Sequence, residues 1–421
     1  MVVLLVALLL QCYSGWSTAM PEPVISVADM GCSKALEVLK QTGNRGGTLL
    51  IPPGVWMCPP LNLTSHLTIY LKAGATMKAD PHADWPLLVP LETYGQGHDH
   101  PGPRWAPFLN GYGVQNLTIG GENGTIDGSG AFWWRRHWLG LEKHTRPSLF
   151  ECVRCQDLLL EDTTFKNSGF WTLHPVLSRR VVARRITVLN QQWSLVPPAL
   201  GSPNTDGFDP DSSSDVLLED SYMAVDDDAV AIKAGWDCAG YAGGGVPSNN
   251  ITIRNLTVWH GGGGISIGSE LSGGVSNVLV ENVLLQHGSY GVFIKTSETR
   301  GGFVKNITIR NVQIEGALKS AVALDANYGA RNPWCGSSPA RIPTRIDNVT
   351  VASVVSRNAL NDSLRLAGLA DAPMTGIKLE NITFHQHPLR CACAGGVHGI
   401  AVNIVPELPK ECSLADAPMT G

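Results

Sequence analysis

The chain has 421 residues, 43% of them hydrophobic, and carries 31 Lys and Arg against 36 Asp and Glu, a formal net charge of −5. So even a balance argues against a basic nucleic-acid binder, and any acidic polymer would have to be held by local cations rather than by a global field. Length, hydrophobic content and 46 glycines point to one large solenoidal domain, residues 20–421, rather than two globular ones.

At the start, the apolar run of residues 2–10 followed by Ser17-Thr18-Ala19 reads as a secretory signal peptide, residues 1–19, with cleavage after Ala19. It is too short to span a bilayer, and no later segment is long and apolar enough, so a secreted protein with no membrane partner is expected. Asn-x-Ser/Thr sequons at Asn62, Asn116, Asn123, Asn250, Asn255, Asn306, Asn348, Asn361 and Asn381 agree with that route. Asn-Ile-Thr strands also produce such matches by chance. Of 10 cysteines, Cys12 leaves with the signal, so an odd number remains and at least one thiol is free or pairs between chains. Cys32 with Cys58, Cys152 with Cys155, and a pair drawn from Cys391, Cys393 and Cys412 are local candidates.

Residues 33–41 hold the only early helical pattern, with Leu36 and Leu39 on one face. Leu67-Thr68-Ile69-Tyr70-Leu71 alternates as a strand should. Residues 94–100 contain His98, Asp99 and His100 but no element to fix ligand geometry, so a surface loop is expected and no metal. From Asn116 a repeat becomes plain: Leu117-Thr118-Ile119, Leu158-Leu159-Leu160, Ile186-Thr187-Val188, Val216-Leu217-Leu218, Ile251-Thr252-Ile253, Val278-Leu279-Val280, Ile307-Thr308-Ile309 and Val349-Thr350-Val351. These runs lie roughly 25 to 40 residues apart, the spacing of solenoid coils. Arg179-Arg180 and Arg184-Arg185 flank one strand and read as a solvated outer face, since alternate residues point to opposite sides. Trp171 fits a sugar-stacking ring or a packed one equally.

Residues 201–235 hold two acidic clusters, Asp206 and Asp226-Asp227-Asp228. Their separation is about one coil, which would stack Asp206 beside Asp227 and Asp228 at ~4.8 Å. Crowded carboxylates cannot all ionise, so one keeps a proton near neutral pH. A protonated acid beside an ionised base is what glycosidic hydrolysis requires. A calcium site or solvated acidic turns fits the spacing alone equally well.

Asn204-Thr205-Asp206-Gly207, then Asp227-Asp228, then Gly264-Ile265-Ser266-Ile267-Gly268, then Ile294-Lys295 resembles the ordered signature of pectin-degrading polygalacturonases, glycoside hydrolase family 28. Phe208-Asp209-Pro210-Asp211-Ser212-Ser213, Ala231-Ile232-Lys233 and Gly268-Ser269-Glu270 look like its plant and bacterial exo-acting branches. The resemblance implies an all-β, right-handed parallel β-helix with a short N-terminal capping helix. It also implies a cofactor-free, monomeric enzyme that cleaves α-1,4-linked galacturonan with inversion. Asp227 matches the general acid, and Asp206 and Asp228 match the residues that activate water. Lys295 and Lys233 would contact a uronate carboxylate, and His260 is the candidate for the family's Gly-His-Gly histidine.

Two departures stand out. Phe293 replaces the arginine of the family's Arg-Ile-Lys and cannot make a bidentate contact. In Trp259-His260-Gly261-Gly262-Gly263-Gly264 the histidine falls two or three positions early. Loss of the arginine is expected to weaken binding of plain polygalacturonate by roughly 10- to 1000-fold. A hydrolase of another pectic polymer such as rhamnogalacturonan, or a weak solenoid that only binds wall polysaccharide, is therefore carried as an alternative. A pectate-lyase-like eliminase is disfavoured, since no motif supplies its base. Asp226 occupies what is usually Gly, so the triple Asp admits a shift of one residue. Residues 328–343 read as a Pro/Gly/Ser-rich loop carrying Trp334 and Cys335. The octapeptide starting at Leu369 recurs from Leu414 to the terminus, suggesting an unfinished duplication or a truncated gene model, with no functional reading.

Overall fold

Alternation in the strand Leu67–Leu71 buries Leu67, Ile69 and Leu71 to at most 1% exposure while the residues between face outward. The side that an apolar residue takes in one strand is repeated by the next, because strands pair in parallel and in register. A single column runs Leu49, Ile69, Ile119, Leu160, Ala183, Leu218, Ile253, Val280, Ile309, Val351 and Leu379. Every member is at most 1% exposed. Stacking of this kind gives each inward side chain partners above and below, and it makes one continuous core.

This computed structural model describes residues 20–190, 201–259, 261–329, 342–386 and 388–414. The expected signal segment, His260, Trp334, Cys335 and the terminal repeat after Leu414 lie outside the described residues. The chain forms a right-handed parallel β-helix. One wall is an 18-stranded sheet, and another consists of a 4-stranded and a 6-stranded sheet. Bridges of Phe208 to Leu173 on one side and to Val230 on the other join these two shorter sheets. The segment bearing Asp206 is thus the splice between them. Among the described residues, the paired strands run parallel except Leu87–Leu88 with Arg104–Trp105.

The bends between walls need positive φ, which Asn tolerates better than most residues. Asn250, Asn277, Asn306 and Asn348 sit there with φ of 56°, 55°, 56° and 53°. The Nδ2 of Asn306 donates to Asn277 Oδ1 at 3.0 Å, and that of Asn348 donates to Asn306 Oδ1 at 2.9 Å. Several of the sequon asparagines therefore serve as rungs of a ladder.

The capping helix spans Cys32–Lys40 and buries Cys32, Ala35, Leu36 and Leu39 against the first coils. Disulfides join Cys32 to Cys58, Cys152 to Cys155, and Cys393 to Cys412, leaving Cys391 free among the described residues. Arg180 and Arg185 pair with Asp157 and Asp162 on the outer face, away from any cleft.

The stacked core sets a stability test. Ile309→Ala removes a fully enclosed side chain between Val280 and Val351 and is expected to destabilise the fold by about 2–5 kcal/mol. Val405→Ala, at a position 56% exposed, is expected to stay within about 0.5 kcal/mol. Denaturant titration of both variants measures the difference.

Candidate active site

Asp206 ends the turn before the splice segment, one coil from Asp228: the Gly207 N–H donates to the Asp228 carbonyl at 2.9 Å, and Phe208 pairs with Val230. Each later coil adds a residue to the same outward face. Lys233 lies just past Val230–Ile232, and Lys295 closes Tyr290–Lys295. Four of the expected residues, Asp206, Asp228, Lys233 and Lys295, are at most 9% exposed, and Asp227 is half-buried.

Contacts distribute the charges. Lys295 Nζ donates to Asp228 Oδ2 at 2.6 Å, and the Gly263 N–H donates to Asp228 Oδ1 at 2.5 Å. Lys233 Nζ bridges Asp206 Oδ2 at 3.3 Å and Glu270 Oε2 at 3.4 Å, with the Trp171 ring 4.4 Å below it. Asp226 turns away: its Oδ2 accepts from the backbone and hydroxyl of Ser202 at 2.8 and 2.6 Å. That orientation leaves Asp227 and Asp228 as the two members of the triple Asp beside the lysines.

Protonation follows from these surroundings. Burial pushes the Asp206 carboxyl up to about 8, against the pull of Lys233, with Asp227 and Asp228 adding to the rise. Burial and the neighbouring Asp228 charge raise Asp227 as well. Burial would do the same to Asp228, but Lys295 and Lys233 override it and hold this carboxyl below its usual value. These surroundings thus favour the protonated form at Asp227 and the ionised form at Asp228. Asp209, wholly buried with neither carboxyl oxygen hydrogen-bonded, is pushed up by burial and by Asp206, and stands as a neutral acid behind them.

The glycine run is steric in origin. A Cβ on Gly262 would lie 2.6 Å from Oδ1 of both Asp227 and Asp228, and one on Gly261 would lie 2.2 Å from the Asp226 carbonyl oxygen. Only backbone without a side chain can pass so close.

Residues with no role in the sequence reading complete the site. Arg146, 1% exposed, binds both Asp99 oxygens and the carbonyls of Gly169 and Pro203, and donates to Asn204 Oδ1 at 2.8 Å. It therefore fixes the turn carrying Asp206. The 94–100 segment is not the surface loop expected. Tyr94 donates to Asp211 at 2.6 Å, and the His98 ring stacks on Trp236 with centroids 5.1 Å apart. The apolar Trp171 and Phe170 draw it inward; Trp171 itself is 4% exposed and packed. Glu270, which follows Ser269 in the Gly268-Ser269-Glu270 tripeptide, is the partner that lets Lys233 stay charged while buried. Phe293 lies on the cleft side, 2% exposed, stacked on Tyr290 at 3.9 Å and edge-on to Tyr328 at 5.3 Å. An aromatic cover, not an open gap, fills the place of the motif arginine.

The family model described as Glycosyl hydrolases family 28 matches residues 49–400. The chain belongs to this family. It is 34% identical over 403 residues to a probable polygalacturonase of Vitis vinifera, covering 91% of this chain and 78% of that one. It is 28% identical to polygalacturonase-2 of Solanum lycopersicum, covering 64% of this chain and 55% of that one. A solved exopolygalacturonase from Thermotoga maritima shares the fold, with a TM-score of 0.75 at 24% identity and 92% coverage of each chain. Family 28 membership makes this a glycoside hydrolase with a pectic polysaccharide as its substrate class.

The raised Asp206 pKa has a consequence for stability. The free carboxyl of an unfolded chain titrates near ~3.9, so the folded state holds the proton more tightly. Stability linked to Asp206 is fully present below about pH 4 and is lost as pH rises through about 8. Asp206→Asn is expected to flatten the fall in Tm across that window, read from thermal melts of both proteins at matched ionic strength. An unchanged slope would mean Asp206 is ionised in the fold.

Proposed function

We propose that this chain hydrolyses α-1,4-linked galacturonan with inversion, releasing units from a chain end. The observation that carries the reading is the unequal setting of the neighbouring Asp227 and Asp228: Lys295 Nζ donates to Asp228 at 2.6 Å and favours its ionised form, while burial and the Asp228 charge favour the protonated form of Asp227. Asp227, half-buried and pushed toward its protonated form by burial and the Asp228 charge, is the general acid for the leaving oxygen. Asp228, kept ionised by Lys295, draws the proton from the attacking water. Asp206 shares this task in the family resemblance, but with its carboxyl protonated toward neutrality it acts here as a hydrogen-bond donor that positions the water. As the pH falls, protonation of Asp228 removes the base; as it rises, loss of the Asp227 proton removes the acid. Lys295 and Lys233 then neutralise the uronate nearest the cut bond.

Action at a chain end is supported by the shape of the outward face. On earlier strands Glu151, His174 and Asp211 hold outward positions yet are at most 2% exposed, beneath Tyr94 and Arg104. The Trp236 N–H donates to the Thr93 carbonyl, and the loop so pinned walls off that side. On later strands Tyr290, Arg365 and Ala392 are partly exposed. A cleft blocked toward the earlier coils admits one end of a polymer. Work outside the cell, in a polysaccharide wall, is supported by the apolar N-terminal run and by disulfides, which persist in oxidising compartments.

Two measurements test the reading. Asp227→Asn is expected to lose at least about 100-fold in turnover on the best pectic substrate while melting normally, since general acid catalysis supplies about 10²–10⁴-fold. Retention of more than about a tenth of wild-type turnover would reassign the acid. A panel of homogalacturonan and rhamnogalacturonan, scored for short products against loss of viscosity, separates substrate and mode of attack.

A chelator supplies an independent check. Asp206 and Asp228 already have lysine partners, so EDTA is expected to leave turnover unchanged; loss restored by calcium would turn the cluster into a metal site.

A further inference from the structure

Phe293, Ala323, Arg365 and Ala392 stand in one register column on the outward face of consecutive strands. The alanines on either side of Arg365 are short, so its guanidinium rises uncovered between them and is 35% exposed. Its Nε donates to Asp325 Oδ2 at 2.6 Å, and Asp325 is itself held by the Asn327 N–H at 2.9 Å. Among the described residues, no hydrogen bond occupies either terminal nitrogen of Arg365. Nε is therefore anchored while the two terminal nitrogens stay open, the pair that can receive a planar anion in two parallel bonds.

The surroundings belong to the same surface. Tyr290, half-buried, rests one ring face on Phe293, and Lys319, exposed, holds its ammonium 5.4 Å from the Tyr290 centroid. Lys295 Nζ lies 5.7 Å from the Phe293 centroid, so the acid site and this patch meet at Phe293. Strands in such a sheet are ~4.8 Å apart, so Arg365 stands ~10 Å along the axis from Phe293, on the open side of the cleft. A pyranose chain engaged at Asp227 and running toward the later coils passes over it.

We propose that Arg365 binds the carboxylate of a uronic acid sugar more than one unit from the cleaved bond, making a distal subsite selective for unesterified galacturonan. The inference rests on the galacturonan reading of the acid site. It puts the bidentate cation two coils away from the position where the family motif carries one. Chain-length dependence follows: a short oligomer cannot reach Arg365, and a long one can. Methyl esterification removes the negative charge and with it the reason for the contact.

Direct binding separates this inference from the hydrolase reading. Calorimetry on Asp227→Asn is compared with Asp227→Asn/Arg365→Gln, using unesterified oligogalacturonates of increasing length and their methyl esters as probes. Loss of a charge-assisted bidentate contact is expected to raise Kd for the long acid oligomers by about 10-fold or more. The shortest acid oligomers and the methyl esters should shift by less than about 2-fold, and Asp227→Asn/Arg365→Lys should recover part of the loss. Unchanged affinity for long acid oligomers, no binding by the Asp227→Asn parent, or equal loss on acid and ester would each overturn the subsite. A matching Tm excludes a collapse of the coil. Turnover by the unmutated chain is scored apart: an inactive chain that still discriminates acid from ester through Arg365 would sink the hydrolase and keep the subsite.

Discussion

Parallel, in-register stacking is the constraint on which everything else in this molecule depends. It forces residues of equal position in successive coils to lie one strand apart, so inward columns become a core and outward columns become a surface with a fixed pitch. Asp206, Asp228 and Lys295 come from three separate stretches of chain, and the ladder alone brings them together. The geometry of the sheet gathers them.

Gathering carboxylates at that pitch has an electrostatic penalty, and the surrounding residues show how it is met. Lys295 takes Asp228, Lys233 is divided between Asp206 and Glu270, and Ser202 draws Asp226 aside. What remains is asymmetry: one member of an adjacent pair is favoured as an ion and the other as an acid. Burying two lysines is tolerable only because each has a carboxylate within hydrogen-bonding range. The glycines at 261 and 262 are the steric counterpart, since a methyl group at either would collide with the acidic turn.

The solenoid could be read directly from the chain because its signal is local. Leu117-Thr118-Ile119 or Ile307-Thr308-Ile309 declares a strand without reference to any partner, and the repeat supplies the stacking. Counting one coil along the sequence places Asp206 beside the Asp227-Asp228 pair. Less accessible were contacts that join loops of no periodicity. Arg146 reaches Asp99 across 47 residues and Asn204 across 58, and nothing in the neighbourhood of any of the three announces the others. The 94–100 segment looked solvated because its residues are polar, yet aromatic packing under Trp171 and Trp236 outweighs that. Which two of three consecutive aspartates face the lysines was settled by Ser202, whose proximity is a fact of tertiary structure. Phe293 read as a missing arginine; only its stack on Tyr290 shows it as a covered ring.

Arg146 also determines where the entropy of association falls. With five hydrogen bonds converging from one buried guanidinium on Asp99, Gly169, Pro203 and Asn204, the turn ahead of Asp206 has little conformational freedom left to surrender. A site so fixed does not reshape itself around its ligand, and loss of disorder on complex formation must come from the other partner. On the proposed reading the polysaccharide, flexible at every linkage, has to straighten along the later coils. Its own stiffness, more than any motion of the protein, then sets the entropic penalty of forming the complex.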